Sequence, residues 1–111
     1  MIYSMRLQHQ PFLSIKSGRK TIELRLNDDK RKLLNEGDMV EITDVNTGDT
    51  LTCEVVNLHR YASFEALYQN HDKISIGYTE NEVADPKDML AYYPLDEIEK
   101  YGVVGIEIKI V

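Results

Sequence analysis

The chain reads as a small α+β domain whose strands form one curled, mostly antiparallel sheet or open barrel. Three observations predict this. About five segments alternate apolar and polar residues, as half-buried strands do. Short helical stretches separate them without the regular spacing of a parallel βαβ sheet. A length of 111 residues, 42% hydrophobic and 29% charged, matches a single globular domain over residues 1–111.

The elements follow in order. Met1 to Leu7 alternates loosely through Ile2, Met5 and Leu7 and opens the sheet. Gln10 to Ser17 reads as a short helix, with Pro11 at the first helical position and Gly18 as the left-handed stop. Phe12 and Ile15 share its inner face. Thr21 to Asn27 is a half-buried strand, with Ile22, Leu24 and Leu26 on one side and Thr21, Glu23, Arg25 and Asn27 on the other. Lys30 to Asn35 makes one or two helical turns. Met39 to Asp44 and Thr50 to Leu58 form a hairpin around the turn residues Asn46-Thr47-Gly48-Asp49. Ser63 caps a helix running through Gln69, with Phe64, Leu67 and Tyr68 inward. Residues 70–86 read as a loop holding a short helical piece at most. Asp85-Pro86-Lys87-Asp88 starts a helix that Pro94 ends, and Leu95 to Lys100 adds another turn. Residues 103–111 close the sheet as a strand buried on one face. Tyr92, Tyr93 and Tyr101 are expected to pack this C-terminal segment onto the barrel.

No segment has the length of a membrane span, and MIYSMRLQHQ lacks the pattern of a secretory signal. The single cysteine, Cys53, excludes an internal disulfide and reads as a buried strand thiol. A cytoplasmic protein is expected. His9, His59 and His71 share no metal-ligand spacing, so neither a metal nor another cofactor is expected. The net charge of -6 argues against indiscriminate binding to long phosphate backbones. The charge is uneven, however: residues 16–32 carry +4 and the remainder -10. A basic patch on an acidic body suits a small anionic or nucleotide-like ligand. It also suits a merely solvated surface, and composition does not choose between the two.

The densest charge lies in GRKTIELR, residues 18–25. Glu23 and Arg25, two apart in a strand, point the same way, and Arg19 and Lys20 lie just before them. An exposed Glu–Arg pair would contribute only about 0–1 kcal/mol. The same geometry can also build a site. Arg25 can hold a phosphate or base edge bidentately, Glu23 can accept from an exocyclic amine or act as a general base, and Lys20 can bind an anion or act in catalysis. Tyr61, after the hairpin, can stack on a base.

Gly18-x-Lys20-x-x-Glu23-x-Arg25, then Asn27-Asp28, Lys32 and Gly37-Asp38, resembles the ASCH domain family, a branch of the PUA-like superfold. Tyr61-x-Ser63-Phe64-x-x-Leu67 and the run from Tyr92-Tyr93 to Glu99-x-Tyr101-Gly102-Val103-Val104-Gly105-Ile106 match later segments of that family. The resemblance spans essentially the whole chain. It implies a PUA-like small β-barrel of about five to six strands with short helices outside. It also implies a cleft at the barrel mouth that binds RNA, a nucleoside or a nucleotide, lined by Arg19, Lys20, Glu23, Arg25 and Tyr61. One branch of the family hydrolyses N4-acetylcytidine with a Lys, a Thr and a Glu. Lys20 matches that Lys, but Glu23 stands where the Thr would be; Thr21 lies two residues earlier, and Glu80 or Glu82 is the nearest match to the acid. The expectation is therefore an RNA- or nucleotide-binding domain. The alternatives are a hydrolase of a modified nucleoside or a ribonuclease, with Lys20 and Glu23 catalytic, or a protein adaptor with a vestigial cleft.

Overall fold

A computed structural model describes residues 2–111. Five strands form one sheet: β1 (Ile2–Leu7), β2 (Ile22–Leu26), β3 (Met39–Asp44), β4 (Thr50–Tyr61) and β5 (Val103–Ile110). Their order across the sheet is β1-β3-β4-β5-β2. Only β1 and β3 run parallel; the other three neighbouring pairs are antiparallel. The sheet curls into a half-barrel whose two edges are β1 and β2. The Arg25 guanidinium reaches across that seam, donating from Nη2 to the Arg6 carbonyl on β1 at 3.0 Å.

Each face of the sheet has its own core. The inner face holds Met5, Leu7, Val40, Ile42, Cys53, Val55, Val104, Ile106 and Ile108, capped by Phe12 and Ile15 of helix α1 (His9–Lys16). Gly18, at φ +84°, follows that helix, as expected. On the outer face Ile22, Leu24, Leu26 and Val103 meet helices α2 (Phe64–Asn70) and α3 (Leu95–Tyr101). Gly105 lets α2 come close, because a Cβ there would stand 2.9 Å from Ile22 and 3.5 Å from Leu67. Ser63 caps α2 by accepting from the Ala66 amide at 3.2 Å.

Several expectations need correction. Met1 lies outside the described residues, so the first strand is described from Ile2. Pro11 is the third residue of α1, which starts at His9. The turns expected at 30–35 and 85–93 are 3-10 helices over Arg31–Leu33 and Pro86–Ala91. Tyr93 and Tyr101 pack on the outer core, but Tyr92 is exposed. The expected one-sided burial fails for β2 and β5. Glu23 is buried, and so is the run Val103–Ile106, because helices cover the outer face while the barrel closes over the inner one.

Strand β4 runs three residues beyond the predicted end. Simple alternation from Leu51, Cys53 and Val55 would carry positions 57, 59 and 61 inward. A bulge between Val55 and Asn57 shifts the register instead. Leu58 and Arg60 therefore pair with the inward Ile106 and Val104, while His59 and Tyr61 turn outward with Gly105 and Val103. Among the described residues no helix is long and apolar enough to cross a membrane.

Candidate functional site

Three of the four charged residues of GRKTIELR, namely Lys20, Glu23 and Arg25, meet on the inner side of the sheet. Helix α1 stops at Gly18, and Arg19 and Lys20 both donate their amides to the Ser14 carbonyl, which fixes the approach to β2. On β2, Glu23 lies beside Ile106 and Arg25 beside Val104, so both project to the inner face. Lys20 Nζ stands 2.8 Å from Glu23 Oε1, and Arg25 Nε donates to Glu23 Oε2 at 2.8 Å. One carboxylate thus bridges two cations, and the side chains of all three are at most 16% exposed. Burial works to raise the Glu23 pKa, but Lys20 and Arg25 outweigh it through charge and hydrogen bonds and hold the carboxyl below its ordinary value. Burial pulls Arg25 down, but Glu23 outweighs it and the guanidinium is raised.

A largely apolar recess of about 290 Å³ opens beside Lys20, lined by Ile15, Gly18, Thr21, Ile108, Lys109 and Ile110. Lys20 and Lys109 are its charged walls. The segment 72–78 also runs against Lys20 and the start of β2. The Ser75 carbonyl accepts from the Thr21 and Ile22 amides at 2.9 and 3.0 Å. Gly77, at φ +115°, lays its backbone against the Lys20 stem; a Cβ there would stand 3.2 Å from Lys20 Cδ.

The other predicted residues are placed differently. Arg19 pairs at 3.1 Å with Glu80, and both side chains are about half or more exposed. Glu82 accepts from the Thr79 amide within its own loop. Thr21 borders the recess. Tyr61 lies on the outer face, its hydroxyl 2.9 Å from His71 Nε2. The bulge in β4 sends Arg60 inward in its stead, where it donates to Asn27 Oδ1 at 3.1 Å.

Sequence reasoning missed Tyr93 as a neighbour of this site. Its ring stacks on Phe64, and its phenol is pushed up by burial against the opposing pull of Arg25. It also missed the recess and the Ser75–Gly77 segment. Gly77, inside a polar loop, was the one available signal for the segment. Nothing local marks Ile108 or Lys109 as recess residues.

Comparison with known proteins is consistent with this architecture. The model of the ASCH domain matches residues 5–111. The chain belongs to the ASCH domain family. Two solved structures resemble this ASCH domain over its whole length. One is the crystal structure of the hypothetical protein PH0355, of Pyrococcus, with 29% identity, a TM-score of 0.84 and full coverage of both chains. The other is the solution structure of protein PF0455 from Pyrococcus furiosus, with 28% identity, a TM-score of 0.76 and coverage of 100% of this chain and 98% of that one. Comparison with curated proteins finds no match. Among the described residues no group of three or more His, Cys, Asp or Glu side chains is arranged to hold a metal ion.

Proposed function

We propose that the domain binds RNA or a nucleotide at the barrel mouth, through Lys20, Arg25 and the recess beside them. One observation carries this reading: a carboxylate and two cations are kept nearly buried together, and one of them, Lys20, lines an open, largely apolar recess. Burying ions is costly, and an apolar replacement of similar volume often serves stability as well or better. Glu23 engages one of the three Lys20 ammonium donors, which leaves donors for phosphate or carbonyl oxygens. The isoleucine walls offer a flat base an apolar surface, and Lys109 adds a second cation for a phosphate. Arg19, held by Glu80 at the surface, would meet a phosphate further along a longer ligand.

Glu23 accepts from two cations and is held ionised, which suits orienting Lys20 and Arg25 better than shuttling a proton. The geometry therefore favours binding over hydrolysis. The test is titration of hexauridylate and of cytidine 5′-monophosphate into the parent, Lys20→Ala and Glu23→Gln. Both variants are expected to lose about tenfold or more in affinity, roughly 1.4 kcal/mol, while their circular dichroism stays that of the parent. Binding as tight as the parent's in both variants removes the site from this reading. Release of cytidine from N4-acetylcytidine, abolished in Lys20→Ala, would replace the binding reading with amide hydrolysis.

A further inference from the structure

The chain after α2 forms a strap whose far part lies against Lys20 and whose first residue, His71, packs on a second histidine, His59. His71 opens the strap. Its ring meets that of His59 edge to face, with centroids 4.5 Å apart, and its Nε2 lies 2.9 Å from the Tyr61 hydroxyl. Four residues on, the strap docks: Ser75 accepts from Thr21 and Ile22, Ile76 is buried in the outer core, and Gly77 presses on Lys20. Glu80 then ties it to Arg19. Its first anchor is thus a contact between two titratable rings, and its last contacts are with the candidate site.

The charged and titratable groups around His71 are few. Strand β4 supplies His59 and Tyr61. Strand β5 supplies Glu107, which is 2.8 Å from His59 Nε2. From the strap itself, Asp72 turns its carboxylate to the Ile74 and Ser75 amides. One carboxylate therefore faces two imidazoles. Glu107 neutralises one imidazolium; a second proton sets like charges against each other in a partly buried contact.

We propose that His59 and His71 form a pH-sensitive latch: double protonation releases the strap 71–80 from Lys20 and frees that side chain for an anionic ligand. The gating half rests on the reading of Lys20 as part of a ligand site; the latch itself does not. Burial, and then His59, lower the His71 pKa against the opposing pull of Glu107. A lowered folded value means that neutral His71 stabilises the docked strap. That contribution is complete above the ordinary value of 6.5 and drains away as pH falls through the lower folded one.

Amide hydrogen exchange at Thr21 and Ile22, whose donors end on Ser75, reads the docking directly. After correction for intrinsic rates, the parent is expected to lose about tenfold in protection between about pH 7.5 and pH 5. His59→Gln removes one of the two charges while keeping the Tyr61–His71 bond and the burial of His71, so its loss of protection over that range is expected to be clearly smaller than the parent's. Constant protection in the parent, or an equal loss in His59→Gln, overturns the latch. Hexauridylate affinity measured on the same samples tests the gating separately. Acid should tighten binding more in the parent than in His59→Gln. An exchange response without that difference leaves the latch standing and overturns the gating of Lys20.

Discussion

Glu23 and Asp44 are both buried carboxylates, but their partners differ in kind. Asp44 ends β3 and accepts from the Asn46 amide at 2.8 Å, and its second oxygen lies 2.6 Å from His9 Nδ1. The Asn46 side chain in turn accepts from the His9 amide at 3.2 Å. These bonds knot the turn after β3 to the start of α1. Burial works to raise the Asp44 pKa, but the bonds from His9, Asn46 and Thr47 outweigh it and leave the group lowered. Among the described residues no backbone amide donates to the Glu23 carboxylate. Its partners are the tips of two long cations, one lining an open recess and the other spanning the barrel seam. Asp44 is satisfied by fixed groups of the fold, whereas Glu23 holds groups that retain further donors. The contrast separates a carboxylate that completes a turn from one that positions a site.

Truncating each acid sharpens that contrast. Glu23→Ala leaves Lys20 and Arg25 facing each other without a counter-charge and should cost about 3 kcal/mol in urea unfolding, the low end for a broken buried pair because the recess admits water. It should also abolish hexauridylate binding. Asp44→Ala should lower the urea midpoint as well, through the unpaired Asn46 amide, while hexauridylate affinity stays within about twofold of the parent. Equal loss of binding in the two variants would erase the distinction.

Acid should act on both groups. Each pKa is lowered in the folded state, so each contribution is complete above the ordinary carboxylate values of 4.5 for Glu23 and 3.8 for Asp44. Each drains away as pH falls through the lower folded value. Stability followed by urea unfolding should therefore fall with acid below those values, and Glu23→Gln should flatten the first part of that fall. The smallest effect is expected at Arg19. Its pair with Glu80 is exposed on both sides, so Arg19→Ala should change stability by less than about 1 kcal/mol. A larger loss would mean that the strap depends on this pair for its docking.

Much of this molecule was legible in its residues because the signals are local. Strand β3 begins and ends where its pattern predicts, and Ser63 caps its helix, because alternation and capping act over a few residues. The motif Lys20, Glu23 and Arg25 was also visible, because a two-residue spacing on a strand sets a shared direction. Whether that direction led to water or to the barrel interior was not visible. Burial of Glu23 depends on a seam between β1 and β2, strands that are neighbours only because the sheet curls. Tyr61 and Arg60 exchange faces for a similar reason. A single extra residue in β4 inverts every later side chain, and its position is set by pairing with β5, where Val55 meets Ile108 and Asn57 meets Glu107. Local patterning lays out most of the elements and the charged motif. Which of those charges converge depends on register and closure, which no short stretch of chain encodes.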